Sequence, residues 1–407
     1  MSVFRDCAAL LLAGLFAAAV NAQGPAVRPE VGKPVQAASE LVKAKRVKEA
    51  VAKAREAQAV PNKTAYESYL VDHALGVALA AAGDAAGAAR AFESAAASSA
   101  GPEADRRRFL AAAAAQHYAA KEYGKSADLA GRYLRDGGGD RSIRTMHVQA
   151  LYLSGNYPAA AKVLSANVEA DEQAARAPAE EELQMLANAY LQMKDSPGYA
   201  RALEKLLAHY PRKDYWASAL HGVVTMPGYA ERLALDVARL KIATATMRTA
   251  AEYFDAVQLA LHDGFPLEAQ QILEKGYAAG LLGTGPEADR HKRLKALVDK
   301  DLAEDRKTLA QERGPAATKD GKTLVNDGFN QVLHGRTTHG LEMMERGMKI
   351  GSGFKRPDHA KMQLAYGYHL AGQNQKAIQV YRTVQGTDGA AALARLWISY
   401  LRRASTG

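Results

Sequence analysis

The chain has 407 residues, 48% of them apolar but only 7% aromatic, and a formal net charge of +9. That is enough apolar material for a large core, and its alanine richness favours close-packed helices. The lysines and arginines are spread along the sequence, which argues against nucleic acid as a partner. The one cysteine, Cys7, falls in a leader-like segment, so disulfide and thiol chemistry are excluded from the remainder.

Residues 1–22 combine Arg5, an apolar run from Ala8 to Val20, and the small-residue site Val20-Asn21-Ala22. This pattern predicts a secretory signal peptide cleaved after Ala22, because a run of 13 residues is too short to span a bilayer. The chain is therefore expected to be exported. Arg5 and Asp6 leave together, so cleavage does not change the net charge. No later segment reads as transmembrane.

Helical hairpins follow. From Ala37 to Ala57, Leu41, Ala50, Ala54 and Ala57 recur at helical spacing around a turn at Lys45. Pro61 to Tyr69 leads into the next helix, and Asn62-Lys63-Thr64 within it reads as a helix start, not a glycosylation site. Asp72 to Ala95 holds Leu75, Gly76 and Leu79, then Gly83 at a turn, then Ala88, Phe92 and Ala95. Small residues at Gly76 and Ala88 let two backbones approach while Leu75, Leu79 and Phe92 fill the seam. Ala111 to Tyr133 repeats the pattern around Lys121, with Tyr123 and Ser126, and Gly137-Gly138-Gly139-Asp140 breaks it. His147 to Leu164 repeats it with Leu151, Gly155, Tyr157 and Ala160. Glu180-Glu181-Glu182 stand where a helix dipole favours acids, and Leu186 to Pro211 carries Ala187, Tyr190, Leu203 and Leu206. The turn positions 83, 121, 155 and 194 are spaced by 38, 34 and 39 residues.

These offsets resemble the tetratricopeptide repeat, a hairpin of about 34 residues that buries its apolar face only by stacking on its neighbours. The resemblance implies an all-α fold, a TPR-like right-handed α-solenoid of stacked hairpins. The pattern weakens between Tyr215 and Gly283: Trp216 stands near a large-residue position, Arg232 to Met247 reads as one long helix, and Tyr253, Gly264, Ala269 and Leu273 restore the order. Gly283-Thr284-Gly285-Pro286 follows a helix, so it punctuates a loop and does not cradle a phosphate. Glu287 to Arg313 predicts a solvated helix resting on Leu294, Leu297, Leu302 and Leu309. Gly314 to Gly321 reads as a linker. A divergent hairpin around Gly328, Gly335, Met343 and Met344 comes next, then a strong copy at Leu364 to Val384 with Ala365, Tyr368, Gly372, Ala377 and Tyr381. An amphipathic helix from Ala390 to Arg403 is expected to cap the stack. The expected organisation is a signal peptide at 1–22, an N-terminal array at 23–286, a charged helix and linker at 287–321, and C-terminal hairpins with a capping helix at 322–407.

No zinc motif, nucleophile elbow or Walker loop occurs, so neither enzyme chemistry nor a cofactor or metal is expected. His334, His339 and the methionines after them read as core filler, not as a copper site. The expected working surface is a groove lined by first-helix residues that point off the packing face. These are Arg108, Tyr118, Thr145, Gln149, Tyr152, Gln184, Asn188, Gln192, His359, Tyr366 and His369. Their rings and amides suit an extended peptide or a partner helix. The set lacks the lysine–asparagine clamp that chaperone-tail-binding tetratricopeptide domains use.

Segments such as PNKTAYESYLVDHALG, RLALDVARLKIATATM, KRPDHAKMQLAYGYHLAGQ and VQGTDGAAALARLWISYLRR resemble exported tetratricopeptide proteins of proteobacteria, some linked to TonB-type transport systems. That resemblance implies a periplasmic scaffold for protein–protein interactions in the cell envelope. Alternatives are a scaffold for exopolysaccharide export or peptidoglycan assembly and, more remotely, an envelope enzyme.

Overall fold

Lys45, Gly83, Lys121, Gly155, Lys194, Gly264, Gly335 and Gly372 all adopt positive φ, between 57° and 84°, in the computed structural model of the protein. Each lies between two helices at a position where the repeat pattern expects a turn. The turns close alike. Gly83 N–H donates to Ala80 O and Asp84 N–H to Leu79 O, and the same pair of bonds recurs at Lys121/Glu122 and Gly155/Asn156. Such bonds satisfy carbonyls that a helix end would otherwise leave orphaned. Three of these positions carry lysine, which adopts the left-handed region at a cost glycine avoids.

The structure describes residues 26–311 and 320–404. The expected signal peptide and most of the expected linker lie outside them. Of that linker, Asp320 caps a helix and Gly321 begins it. The described residues form twenty α-helices and no strand, so the fold is all-α, built of stacked tetratricopeptide-like hairpins. They fall into two units.

The first unit holds α1 (Pro29–Lys43), α2 (Val47–Ala59), α3 (Ala65–Ala81), α4 (Ala85–Ala97), α5 (Glu103–Ala119), α6 (Tyr123–Arg135), α7 (Arg141–Leu153) and α8 (Tyr157–Gln173), with residues 188–194 of α9 (Glu180–Gln192) and the turn after it. Its core is alanine-rich: Ala50, Ala54, Ala88, Ala113, Ala114 and Ala130 are fully buried. Phe92 stacks on Phe109 with ring centroids 6.1 Å apart. A Cβ added at Gly76 would stand 2.7 Å from the Phe92 ring, so the small residue there is required by close packing. Burying a phenylalanine contributes about 1.5–3 kcal/mol.

The first unit also contains a buried carboxylate. Thr64 and Glu67 form a capping box on α3, in which Glu67 N–H donates to Thr64 Oγ1 and Thr64 N–H to Glu67 Oε2. Arg28 adds its backbone N–H at 2.9 Å and its guanidinium at 2.9–3.3 Å. The Arg28 guanidinium, then the two backbone N–H groups of Thr64 and Arg28, hold the Glu67 carboxyl at a pKa of about 2.

The second unit holds the first part of α9 and α10 (Ser196–His209), α11 (Lys213–Val224), α12 (Ala234–Ala243), α13 (Ala250–His262), α14 (Pro266–Ala278), α15 (Ala288–Gln311), α16 (Gly321–Leu333), α17 (Thr337–Ile350), α18 (Pro357–Leu370), α19 (Asn374–Tyr381) and α20 (Ala390–Ala404). The long helix expected from Arg232 is shorter. It starts as a 3-10 turn and stops after Ala243, where Ala245 turns left-handed and Thr246 N–H donates to Lys241 O. On α15, Leu294, Val298, Leu302 and Leu309 are buried while Leu297 is 46% exposed. The four-residue step from Leu294 through Val298 to Leu302 sets the buried stripe and turns Leu297 out.

Helices α16 and α17 touch backbone to backbone. A Cβ at Gly328 would lie 2.6 Å from Gly340 O, and one at Gly340 would lie 2.4 Å from Gly328 O. Gly321 and Gly347 repeat the relationship at 2.5 Å, one heptad away on each helix. Met344 is fully buried beside the first pair, and Met362 is 1% exposed, as core filler requires. The tail helix α20 packs on α19 and also reaches α10 and α11. Arg395 Nε donates to Glu204 Oε1 at 2.7 Å, and Tyr400 meets Trp216 edge-on. Trp397 is buried among Tyr366, Tyr381 and Tyr400.

Candidate functional site

The expected groove residues divide between the units: Arg108, Tyr118, Thr145, Gln149, Tyr152, Asn188 and Gln192 in the first, and Gln184, His359, Tyr366 and His369 in the second. In the first unit, α5 and α7 are first helices of successive hairpins. Tyr118 on α5 donates its hydroxyl to Gln149 Oε1 on α7 at 3.3 Å. Both tyrosines are half-buried and held edge-on by the residue that opens the next helix: Tyr118 by Tyr123 at 5.2 Å, Tyr152 by Tyr157 at 5.4 Å. Arg108, Thr145 and Asn188 are exposed. Arg108 Nη1 lies 3.6 Å from Asp105, and Gln192 Nε2 donates to Asn188 Oδ1 at 3.4 Å. The structure thus joins Tyr118 to Gln149 across two first helices and Gln192 to Asn188 within one.

In the second unit the expected residues stand in different surroundings. Gln184 Nε2 donates to the Tyr215 hydroxyl, which in turn donates to Glu180 on the first turn of α9. Tyr366 packs between Arg239 and Trp397, and burial pushes its hydroxyl pKa up. His369 lies against Trp397 and Tyr400, with Nδ1 2.9 Å from Asn374 Oδ1. These two rings serve the aromatic interior under α20. Their i, i+3 spacing on an amphipathic helix gives no sign of that, because α20 supplies the other side of the contact.

His359 stands beside a buried charge cluster that sequence reading did not find. Arg239 on α12 donates from Nε and Nη2 to the two carboxylate oxygens of Glu268 at 2.8 and 2.7 Å, and from Nη1 to Asp236 at 2.8 Å. Phe329 and Tyr366 lie 5.1 and 4.8 Å from the guanidinium carbon. His359 Nε2 is 3.3 Å from Asp236 Oδ2, within ion-pair range but without hydrogen-bond alignment. Burial raises the Asp236 pKa, but His359 and Arg239 outweigh it and hold the carboxyl below its usual range. The one signal in the sequence was an acid and an arginine three residues apart inside an apolar run.

Above this cluster the second unit opens a cleft of about 420 Å³. Arg239 and His359 reach it from below, Asn326 and Lys322 line it from α16, and Gln363 lines it from α18. The fourth side is the 351–356 loop, ending in Phe354, Lys355 and Arg356. That loop is pinned to the start of α16 by bonds from Gly321 N–H to Ser352 Oγ and from Lys322 N–H to Ser352 O, both 3.1 Å. Among the described residues, no group of three histidine, cysteine or acidic side chains could hold a metal ion. Nor is any helix among them long and apolar enough to cross a membrane.

Together these features define an all-α protein of stacked tetratricopeptide-like hairpins with half-buried tyrosines beside exposed polar residues. No protein-family model matches the chain, and no curated protein matches it either. Among solved structures, it is similar to the crystal structure of yeast Tom70, at 11% identity and a TM-score of 0.25, covering 92% of this chain and 95% of that one. It is also similar to the P58(IPK) TPR domain, at 11% identity and 0.24, covering 92% and 98%. Naa15/Naa10 bound to HypK-THB matches at 13% and 0.29, covering 88% of this chain and 64% of that one. At such scores none of them bears on how the hairpins are arranged or on what the chain does.

Proposed function

We propose that the protein is a non-enzymatic scaffold of the periplasm that holds a protein or peptide partner of the cell envelope, with a TonB-type transport machine as the assembly it serves. The observation that carries the reading is the face of the first unit. There Tyr118 and Gln149 join successive first helices, Tyr152 is fixed edge-on by Tyr157, and Thr145 and Asn188 remain exposed. Fixed rings offer contact area at little entropic cost, and the remaining donors and acceptors of the amides can satisfy the backbone of an extended ligand. The leader-like segment at 1–22 supports the location.

Fractionation of cells expressing the full chain, with a periplasmic and a cytoplasmic marker, tests the location. Recovery with the periplasmic marker, at the mass expected after loss of 22 residues, supports the reading; recovery of the uncleaved chain in the cytoplasm overturns it. Binding of soluble peptidoglycan fragments or exopolysaccharide to the purified protein, displaced by no protein of the envelope, would favour a scaffold for glycan export or wall assembly instead.

A further inference from the structure

Three cations line the cleft of the second unit without a direct ion pair among the described residues. Lys322, Lys355 and Arg356 are exposed, and none makes an ion pair among the described residues. Three acids stand near them: Asp358 pairs with Lys361 at 2.8 Å, Asp320 accepts from Thr323 N–H and Oγ1, and Asp263, which lines the cleft, lies 3.0 Å from His262 Nδ1. The floor adds no free positive charge, because Arg239 faces two carboxylates, Glu268 and Asp236, and the three together carry one surplus negative charge. The cleft is thus cationic at its rim, where Lys322, Lys355 and Arg356 outnumber the lining acid Asp263, and carries a surplus carboxylate beneath.

We propose that this cleft is a docking site for an acidic peptide segment of the protein partner, an assignment that rests on the scaffold reading. Arg356 caps α18 without a side-chain bond to it, so its fork is free to meet a carboxylate end-on while the helix N-terminus adds partial positive charge behind it. Lys322 faces the same space from α16 and Lys355 from the loop, so the three charges are spread around about 420 Å³ and not focused on one point. A single inorganic phosphate needs converging donors and would leave most of that volume to water. An extended peptide fills it: its acidic side chains reach the three cations, Asn326 and Gln363 offer amides to its backbone, and Phe354 supplies an apolar wall. The loop is preorganised. Gly353 has φ +80°, a conformation other residues adopt only with strain, and a Cβ there would displace the Asp320 carboxylate, so glycine suits this point of the loop.

The test is fluorescence anisotropy of a labelled hexaglutamate peptide with the purified full chain, against hexalysine and inorganic phosphate. Comparison is made with K355A/R356A and with K292A/R293A, which removes the same charge from the exposed face of α15. The expected result is salt-sensitive binding of hexaglutamate, weakened roughly tenfold in K355A/R356A and less than about twofold in the α15 variant. Since Lys355 and Arg356 make no ion pairs among the described residues, the melting temperature of their variant should match wild type. Equal loss in both variants would reduce the effect to net charge, and displacement of the peptide by equimolar phosphate would make this an inorganic-anion site; either overturns the proposal, as does absence of binding. Loss of hexaglutamate binding leaves the first-unit face untouched, so this outcome and a failure of the scaffold reading are separately visible.

Discussion

Arg239 and Glu268, 29 residues apart in sequence, meet fork to fork in the interior of the second unit, each about 5% exposed. Two donors align with two acceptors, and Asp236 takes a third donor, so the desolvation of all three charges is offset by geometry. Removing the cation alone leaves two carboxylates with one partner, His359. Arg239→Met should therefore destabilise the second unit by about 3–5 kcal/mol in urea unfolding. Arg239→Met/Glu268→Leu, which removes one of the stranded acids, should be less damaging than the single change. A double variant worse than the single would show that the pair is not the source of the cost.

Glu67 makes the stability of the first unit depend on pH. Its carboxyl has a folded pKa of about 2 against an ordinary 4.5, held down by Arg28 and the backbone N–H groups of Thr64 and Arg28. A depressed carboxyl stabilises the fold fully above its unfolded pKa and loses that contribution as pH falls through the folded one. Glu67→Gln should thus melt below wild type by a constant margin from pH 7 to about pH 5. The margin should close as pH is lowered from 4.5 towards 2. A margin that persists at pH 2 would contradict the assignment.

The glycine contacts of α16 and α17 are equally specific. Gly340→Ala drives a methyl against Gly328 O and should cost about 1–3 kcal/mol, because a backbone oxygen cannot move aside as a side chain can. Gly222→Ala on α11 meets nothing within 4 Å and should be neutral or stabilising by up to about 1 kcal/mol. Thermal denaturation of the pair checks both signs in one experiment.

At the turns, Lys121 has φ 61° in the same geometry that Gly155 adopts at 79°. Lys121→Gly should raise stability by up to about 1 kcal/mol, and Gly155→Ala should lower it by a similar amount. Opposite signs in differential scanning calorimetry would mean that the lysine side chain contributes more than the backbone strain removes.

The hairpins were legible in the sequence because their turns demand one backbone conformation at one place. Lys45, Lys121 and Lys194 could be placed without glycine because the helix periodicity on either side leaves only that position between them. The packing of Gly76 on Phe92 was legible for the same reason: both residues belong to one hairpin. What was not legible depends on partners far along the chain. Thr64 and Glu67 show a capping box, but Arg28, 39 residues earlier, decides that the glutamate is buried. The Arg239 cluster reads as an ordinary helical ion pair until Glu268 arrives from α14. Leu297 and Val298 differ by one position, and only the neighbours of α15 choose between them. Tyr366 and His369 looked like groove residues because α20 is absent from any local view.

The central claim is that the face of the first unit holds a protein of the cell envelope. The most direct test is crosslinking in intact cells followed by mass spectrometry, comparing wild type with a Tyr118→Ala/Tyr152→Ala/Asn188→Ala variant of equal abundance. The account predicts that specific envelope proteins crosslink to the wild type and are lost from the variant. The same partners captured at the same yield by both proteins would contradict it.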